Sequence, residues 1–273
     1  MTHTANPLYN QDTSCVMEAD GAACTQADRG YAMVFFDLDG TLLSMDTSDF
    51  MHHYMGKLMR HCAGCGFDPQ LTQQAHMAGI SAMAKDDTPA TNDQVFWTAF
   101  NAAMRLDSNS DAYQRIQDMF LSFYATEFLT IGQLSEVNPH IVKAVETIKG
   151  KGYRMAVATM PMFPLDAVHA RVRWAGLAPE DFEFITHYES SASVKPKLSF
   201  YQECLDKAGV SPDEALMVGN NSREDGAATQ LGIDLYLITD HLIRQEGGVK
   251  LSSVKHGTSA DFVTFAQSLP ALN

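Results

Sequence analysis

The stretch YAMVFFDLDGTLL, residues 31–43, decides the fold. Residues 33–36 form a short apolar run that suits a buried strand. The run ends directly in Asp37 and Asp39, followed by the hydroxyl of Thr41. In an open parallel sheet, functional side chains collect beyond the carboxyl ends of the strands. This stretch therefore predicts the first strand of an α/β sheet with polar, reactive groups at its end.

Two different patterns flank this strand. Residues 1–30 are polar and lack periodicity, which favours a loose extension or a small appendage packed on the body. Downstream, residues 46–129 carry apolar side chains at helical spacing and show no strand pattern. We expect an inserted helical domain there, with helices over residues 50–59, 71–83, 95–104 and 113–128.

From residue 138 onward, strand and helix patterns alternate. The predicted strands cover residues 153–158, 182–186, 216–218 and 234–238, and the predicted helices cover 138–149, 165–174, 198–207, 223–231 and about 261–267. This alternation predicts an α/β fold with a doubly wound, mostly parallel, Rossmann-like sheet. The α/β core then comprises residues 31–45 and 130–273, and the helical domain 46–129 is inserted into it.

Composition narrows the function classes. The formal net charge of -14 disfavours nonspecific binding to nucleic acid or to an anionic membrane. No apolar run approaches the roughly 20 residues that span a bilayer, and the first residues are neither basic nor apolar. We expect a cytoplasmic protein without a secretory signal.

Five cysteines, an odd number, argue against a disulfide framework. His61, Cys62 and Cys65 raise the alternative of a zinc site. A single CxxC motif without a second pair, on an amphipathic Met-rich segment, favours simple helix packing instead.

The predicted strand ends bring several reactive side chains to one crevice. Two carboxylates, a hydroxyl, an ammonium group and a second acidic cluster suit phosphoryl transfer, which depends on positioning and charge neutralisation. In chain order, the candidates are Asp37, Asp39, Thr41, Thr159, Lys195, Asn220, Asn221, Glu224 and Asp225.

Four short segments resemble the motifs of the haloacid dehalogenase superfamily. DLDGTL at 37–42 resembles the first motif, and Thr159 in VAT resembles the second. Lys195 in SVKPKLSFY resembles the third, and MVGNNSRED resembles the fourth. The similarity covers residues 31–45 and 138–240 and points to the phosphatase branch, with a helical cap inserted after the first motif.

The resemblance implies a role for each matching residue. Asp37 is the expected nucleophile, which forms an aspartyl-phosphate. Asp39 is the expected acid and base, although it could merely cap the turn that follows it. Lys195 is expected to offset negative charge, with Lys197 as a nearby rival and a solvated lysine as the alternative. The expected phosphate-binding set is Thr41, Thr159, Met160 and Lys195, and the expected catalytic set is Asp37, Asp39, Thr159 and Lys195.

The resemblance also implies a magnesium ion held by oxygen ligands. The implied ligands are Asp37, the backbone carbonyl of Asp39 and the first acid of the fourth motif. Here that position holds the neutral Asn220. Asp225, or its neighbour Glu224, is expected to compensate, so the predicted metal set is Asp37, Asp39, Asn220 and Asp225.

A cap inserted after the first motif favours a small phosphorylated metabolite over a phosphoprotein, acted on by a monomer or homodimer. Two alternatives stay open. A metal-independent 2-haloacid dehalogenase would use the same nucleophile but usually lacks the second acid, which here is Asp39. A catalytically silent binding protein of the same fold is favoured only by the neutral Asn220. We expect His169, Arg171 and Arg173 at the surface.

Overall fold

Five parallel strands form one sheet in residues 30–272, the part of the chain that the computed structural model describes. The strands are β1 (Met33–Phe36), β2 (Arg154–Val157), β3 (Ala215–Gly219), β4 (Asp234–Ile238) and β5 (Lys255–Gly257). Their order across the sheet is β2-β1-β3-β4-β5. β1 is therefore central, and its last residue, Phe36, lies in register with Val157 of β2 and Val218 of β3.

Four helices lie between β1 and β2 in the chain: α1 (Thr47–Gly64), α2 (Pro69–Lys85), α3 (Asn92–Met104) and α4 (Asp111–Ala125). A 3-10 segment, Phe128–Leu134, leads back to the sheet. The start of α1 is determined by Asp46, whose carboxylate accepts hydrogen bonds from the backbone N–H groups of Ser48 and Asp49. Such N-cap contacts satisfy donors that the first helical turn leaves free. The four predicted helices of the insert are confirmed: each begins two or three residues earlier than predicted, α1 and α2 also end later, α3 ends as predicted, and α4 ends at Ala125, short of the predicted residue 128.

The remaining helices are α5 (Pro139–Gly150), α6 (Leu165–Trp174), α7 (Leu198–Ala208) and α8 (Ser259–Ser268). They cover both faces of the sheet. Alternate residues of a strand point to opposite faces, so each strand contributes side chains to two separate buried clusters. Val34 and Phe36 belong to one buried cluster, which includes α5, α6, α8 and the insert. Met33 and Phe35 belong to the other, which includes α7. The predicted doubly wound α/β fold is confirmed.

Three details differ from the sequence prediction. Residues 182–186 do not form a regular strand: they run along the outer edge of β2, with an isolated bridge between Val157 and Ile185 and a further backbone hydrogen bond from Glu183 to the carbonyl of Met155. The predicted helix over 223–231 is a 3-10 segment, Asp225–Leu231. β5 was not predicted, because two of its three residues are only partly buried, His256 is exposed, and the segment lacks an apolar pattern. Within residues 30–272, no helix combines the length and apolarity required to cross a bilayer.

Candidate active site

The site lies at the carboxyl end of the central strand. Asp37 directly follows β1, and its backbone N–H donates to the carbonyl of Val218 in β3 at 2.8 Å. Thr159 lies two residues beyond β2, and Asn220 directly follows β3. The predicted convergence of these strand ends is thus observed. Asp37, Asp39, Thr159, Met160 and Asn220 line one cavity with a volume of about 360 Å³.

Gly40 allows the turn after β1 to pack against the loop after β3. Its φ of +79° lies in the left-handed region that favours glycine. A Cβ atom at this position would stand 2.1 Å from Nδ2 of Asn220. The close approach explains why a glycine follows the two aspartates, and it holds the two loops in contact.

Lys195 joins two buried carboxylates. Its Nζ lies 2.8 Å from Oδ1 of Asp37 and 2.6 Å from Oδ1 of Asp225. The other oxygen of Asp225 accepts the backbone N–H groups of Asn220 and Asn221 at 2.9 and 2.8 Å. All the oxygens of Asp225 are thus engaged within the protein. Lys197, the rival lysine, instead pairs with Asp87, a largely exposed residue.

Burial sets the electrostatics of this cluster. It raises the pKa of Asp37 to about 7, against the lowering influence of Lys195. Burial alone would disfavour the ammonium charge of Lys195, but Asp225 and Asp37 outweigh it and raise the pKa of Lys195 well above its usual range. The lysine therefore stays charged, while the carboxylate of Asp37 is incompletely compensated.

Asp39 is anchored by a residue that we expected at the surface. Arg171 of α6 is buried, and its Nη1 lies 2.5 Å from Oδ2 of Asp39. The guanidinium also lies 4.5 Å from the ring centre of Phe163 and 5.5 Å from that of Phe50, in cation–π contacts. Oδ1 of Asp39 is buried and has no hydrogen-bond partner among the described residues.

The surface prediction for Arg171 was wrong, because the residue lies on the buried face of α6. That face carries Ala167, Val168, Val172 and Ala175, at the spacing of one side of a helix. The same spacing was a usable signal in the sequence. Arg173 is exposed as expected, and His169 is half-buried.

The other predicted phosphate-binding residues lie close by. Thr41 is buried, and its hydroxyl makes a long contact of 3.4 Å with Oδ2 of Asp37. Thr159 is also buried, its carbonyl accepts a hydrogen bond from the hydroxyl of Thr186, and its side chain borders the cavity. Lys195 lies behind Asp37 and is not among the residues that line the cavity.

Three oxygen atoms at the site suit a hard cation such as Mg²⁺. They are a carboxylate oxygen of Asp37, the backbone carbonyl of Asp39 and Oδ1 of Asn220. The last two accept no hydrogen bond from the residues that the structure describes. Nδ2 of Asn220 donates to the carbonyl of His241 at 2.8 Å, which identifies Oδ1 as the free atom of the amide. These three oxygen atoms are therefore of the chemical type that magnesium prefers as ligands.

The charges also fit a divalent cation. Lys195 and Arg171 are the two cations in direct contact with the acidic groups. When all four are ionised, the carboxylates of Asp37, Asp39, Asp225 and Glu224 leave an excess of two negative charges over these two cations. No group of three His, Cys, Asp or Glu side chains in residues 30–272 is arranged to hold a metal. Backbone and amide oxygens would have to complete the coordination.

The insert supplies much of the cavity wall. Phe50, Met51 and Tyr54 of α1 line it, together with His76 and Ile80 of α2. On the opposite side stand Met162 and Phe163 from the loop after β2. The helical insert therefore stands over the carboxyl end of the sheet. Cys62, the candidate zinc ligand, is instead buried against Met119.

The chain belongs to the haloacid dehalogenase-like hydrolases, whose family model matches residues 31–232. Two curated relatives have similar sequences. Pyrophosphatase PpaX of Halalkalibacterium halodurans is 23% identical, over 80% of this chain and 87% of the relative. Glyceraldehyde 3-phosphate phosphatase of Methanothermobacter thermautotrophicus is 22% identical, over 78% of this chain and 88% of the relative.

Solved structures share the fold. The crystal structure of a predicted phosphoglycolate phosphatase from Haemophilus somnus 129PT superposes with a TM-score of 0.54. It is 18% identical and covers 89% of this chain and 99% of its own. The structures with this fold include dehalogenases as well as phosphatases. The fold alone therefore leaves open which reaction the hydrolase catalyses.

Proposed function

We propose that this hydrolase is a magnesium-dependent phosphatase that cleaves a small phosphorylated metabolite through an aspartyl-phosphate on Asp37. The observation that carries the proposal is the pairing of two carboxylates with separate cations at one strand end. Asp37 contacts Lys195, and Asp39, two residues on, contacts Arg171. This arrangement supports a nucleophile and an acid–base group that act side by side.

In the proposed reaction, a carboxylate oxygen of Asp37 attacks phosphorus and the bond to the leaving oxygen breaks. Asp39 gives its proton to that oxygen, so the product leaves as an alcohol. Asp39 then removes a proton from a water molecule that attacks the aspartyl-phosphate, releasing inorganic phosphate and restoring Asp37.

The hydrogen bonds of Asp39 support this role. Arg171 holds Oδ2, whereas Oδ1 is buried without a hydrogen-bond partner among the described residues, and Asp39 is one of the residues that line the cavity. We propose that Oδ2 anchors the group and that Oδ1 exchanges the proton once the substrate is bound. Thr159 is proposed to donate to a phosphoryl oxygen, and Thr41 and Met160 to shape the pocket.

Magnesium is proposed to bind the carboxylate of Asp37, the carbonyl of Asp39 and Oδ1 of Asn220, with waters. When bound, it would neutralise charge on the phosphoryl group. Asp225, a predicted metal ligand, is engaged by Lys195 and two backbone N–H groups. Glu224 borders the cavity, and we propose that its carboxylate supplies the charge that Asn220 lacks, directly or through water.

The insert, residues 46–129, is proposed to act as a cap that selects small substrates, because Phe50 and Ile80 stand over the reactive end of the sheet.

The described cysteines are free thiols, which supports the proposed cytoplasmic location. We propose a monomer or homodimer, with neither nucleic acid nor a membrane as a partner.

The presence of Asp39 also argues against a metal-independent dehalogenase. A dehalogenase releases a halide ion, which does not need a proton when it leaves. The retained contacts among Asp37, Lys195 and Asp225 weigh against a silent binding protein, which would have no need for a buried charged cluster.

The test is hydrolysis of an aryl phosphate by the purified protein, with magnesium, with EDTA, and in the variant Asp37→Asn. The matched control is Asp49→Asn, which changes an exposed carboxylate of α1 outside the cavity. We expect metal-dependent turnover in the wild type and the control, and none in Asp37→Asn. Turnover of 2-haloacids that survives EDTA would support the dehalogenase instead, and inactivity on a broad phosphate-ester panel would support the binding protein.

A further inference from the structure

The cavity beside Asp37 has an unusual balance of charge. Its charged lining groups are Asp37, Asp39 and Glu224, all acidic, and none of the described residues that line it is a lysine or an arginine. Lys195 and Arg171 are turned to Asp37 and Asp39 and are buried behind them. A second phosphate or a carboxylate on the substrate would therefore bring its extra negative charge to a wall without a lysine or an arginine to receive it, because the proposed magnesium ion is taken up by the phosphate that is transferred.

His76 does not change this balance. Burial lowers the pKa of its imidazole to about 4, so the ring is neutral at physiological pH. The remaining polar lining groups, such as Thr47, Ser48 and Gln245, are uncharged. The wall therefore offers hydrogen-bonding groups for a hydroxyl or carbonyl group, but no charged side chain that would neutralise a second anion.

Most of the wall opposite the acids is apolar. Its main side chains are Phe50, Met51, Tyr54, Ile80, Met162 and Phe163. Met51, Ile80, Met162 and Phe163 are only partly buried, so each leaves apolar surface uncovered at the cavity. Uncovered apolar surface in a concave site is what an apolar ligand group can cover favourably.

A second cavity continues this apolar surface. It has a volume of about 480 Å³ and shares His76 and Met162 with the first. Phe96, Trp97 and Phe120 line it, and its charged lining residues are two acids and one cation, Asp166, Glu189 and Arg173. Together the two cavities offer room for a bulky, mainly apolar group that begins at the phosphate and passes His76.

We propose that the substrate is a phosphate monoester of an uncharged, largely apolar alcohol, whose apolar group lies between α1, α2 and the loop after β2. This inference rests on the proposed phosphatase function and specifies its substrate class. It predicts that this enzyme differs in substrate preference from a phosphatase that acts on phosphoglycolate, since that substrate carries a carboxylate.

The test compares two esters of aliphatic alcohols: 2-phenylethyl phosphate and 2-phosphoglycolate. We expect kcat/KM for the phenylethyl ester to exceed that for phosphoglycolate on the order of a hundredfold, because even one methylene in an apolar pocket changes discrimination by roughly 10- to 200-fold. A ratio at or below one would overturn the inference while leaving the phosphatase function intact.

A charge added to the wall provides the second test. Ile80→Lys places a cation at the cavity, and Met77→Lys places one on the exposed side of the same helix, outside the cavity. We expect Ile80→Lys to lower kcat/KM for the phenylethyl ester by about tenfold or more and to raise it for phosphoglycolate. Met77→Lys should leave the preference unchanged. An unaltered preference in a folded Ile80→Lys variant would contradict the inference.

If no ester is hydrolysed, an affinity measurement still tests the proposed apolar site independently of the proposed phosphatase function. Titration calorimetry on the Asp37→Asn variant with magnesium measures affinity without turnover. Tighter binding of 2-phenylethyl phosphate than of 2-phosphoglycolate, by about tenfold or more, would support the apolar site even if the phosphatase proposal failed. Equal or weaker binding would overturn it.

Discussion

Replacing Lys195 with methionine tests the buried charge cluster directly. The substitution keeps most of the side-chain volume but removes the ammonium group from two carboxylates, at 2.8 Å from Asp37 and 2.6 Å from Asp225. The lysine side chain is only 1% exposed, so water cannot replace it without rearrangement. Removing one partner from a buried ion pair costs about 3–5 kcal/mol of unfolding free energy.

Asp225 retains two backbone N–H donors in the variant, whereas Asp37 retains only the long contact with Thr41. Asp37 should therefore be the group that takes up a proton. With the lowering influence of Lys195 removed, the pKa of Asp37 rises above its wild-type value of about 7. The folded variant then holds a proton that the unfolded chain releases, so its stability falls further as pH rises beyond 7.

The assay is urea unfolding in the presence of EDTA, at pH 6 and pH 8.5, followed by circular dichroism. Lys197→Met is the matched control: it removes a hydrogen bond to the backbone carbonyl of Asp86 and an ion pair with the exposed Asp87, and such a pair contributes about 0–1 kcal/mol. We expect Lys195→Met to be about 3 kcal/mol less stable than the control, with a larger difference at pH 8.5. A loss no greater than that of Lys197→Met would refute the reasoning.

Two further predictions concern His76 and Arg171. The buried imidazole of His76 has its pKa lowered to about 4, so the folded state loses stability as pH falls below 6.5 toward 4, by about 3 kcal/mol in total. His76→Phe should remove that loss, which urea midpoints at pH 7 and pH 4.5 will measure; an unchanged pH dependence would contradict it. Arg171→Met should lower kcat by about tenfold or more with little change in KM, because Asp39 loses its anchor, and Arg171→Lys should restore part of the rate. Steady-state kinetics on an aryl phosphate would contradict this role if both variants kept wild-type kcat.

Local patterns in the sequence were sufficient for the architecture. The predicted bounds of β1 and β4 agree with the structure, because each is a compact apolar run with a polar residue or glycine at its limit. The alternation of strands and helices was also sufficient for a parallel sheet with two covered faces. The order of the strands was not predicted, since it depends on contacts between segments far apart in the chain.

The site was predictable in its members but not in its contacts. The strand ends and motifs identified Asp37, Asp39, Thr159 and Asn220, which line the cavity. The engagement of Asp225 by Lys195 and backbone N–H groups depends on a loop conformation that a motif does not encode. Its role as a metal ligand therefore stays a prediction that this geometry does not favour.

Arg171 illustrates a different limit. A charged residue on a helix is exposed in most cases, and only the helical spacing of its neighbours marked it as buried. Its partner, Asp39, lies 132 residues away in the chain. The second cavity likewise depends on residues from α2, α3, α4 and the loop after β2, which the sequence alone could not bring together.

The most direct measurement of the central claim is the chemical identity of the group that receives the phosphoryl moiety. The Asp39→Asn variant, mixed with a labelled phosphate ester and magnesium and quenched in acid, should retain one phosphoryl group. Peptide mass spectrometry should locate it on Asp37, and the double variant with Asp37→Asn should retain none. A label on another residue, or turnover by the wild type without any label at position 37 under matched rapid quenching, would contradict the account.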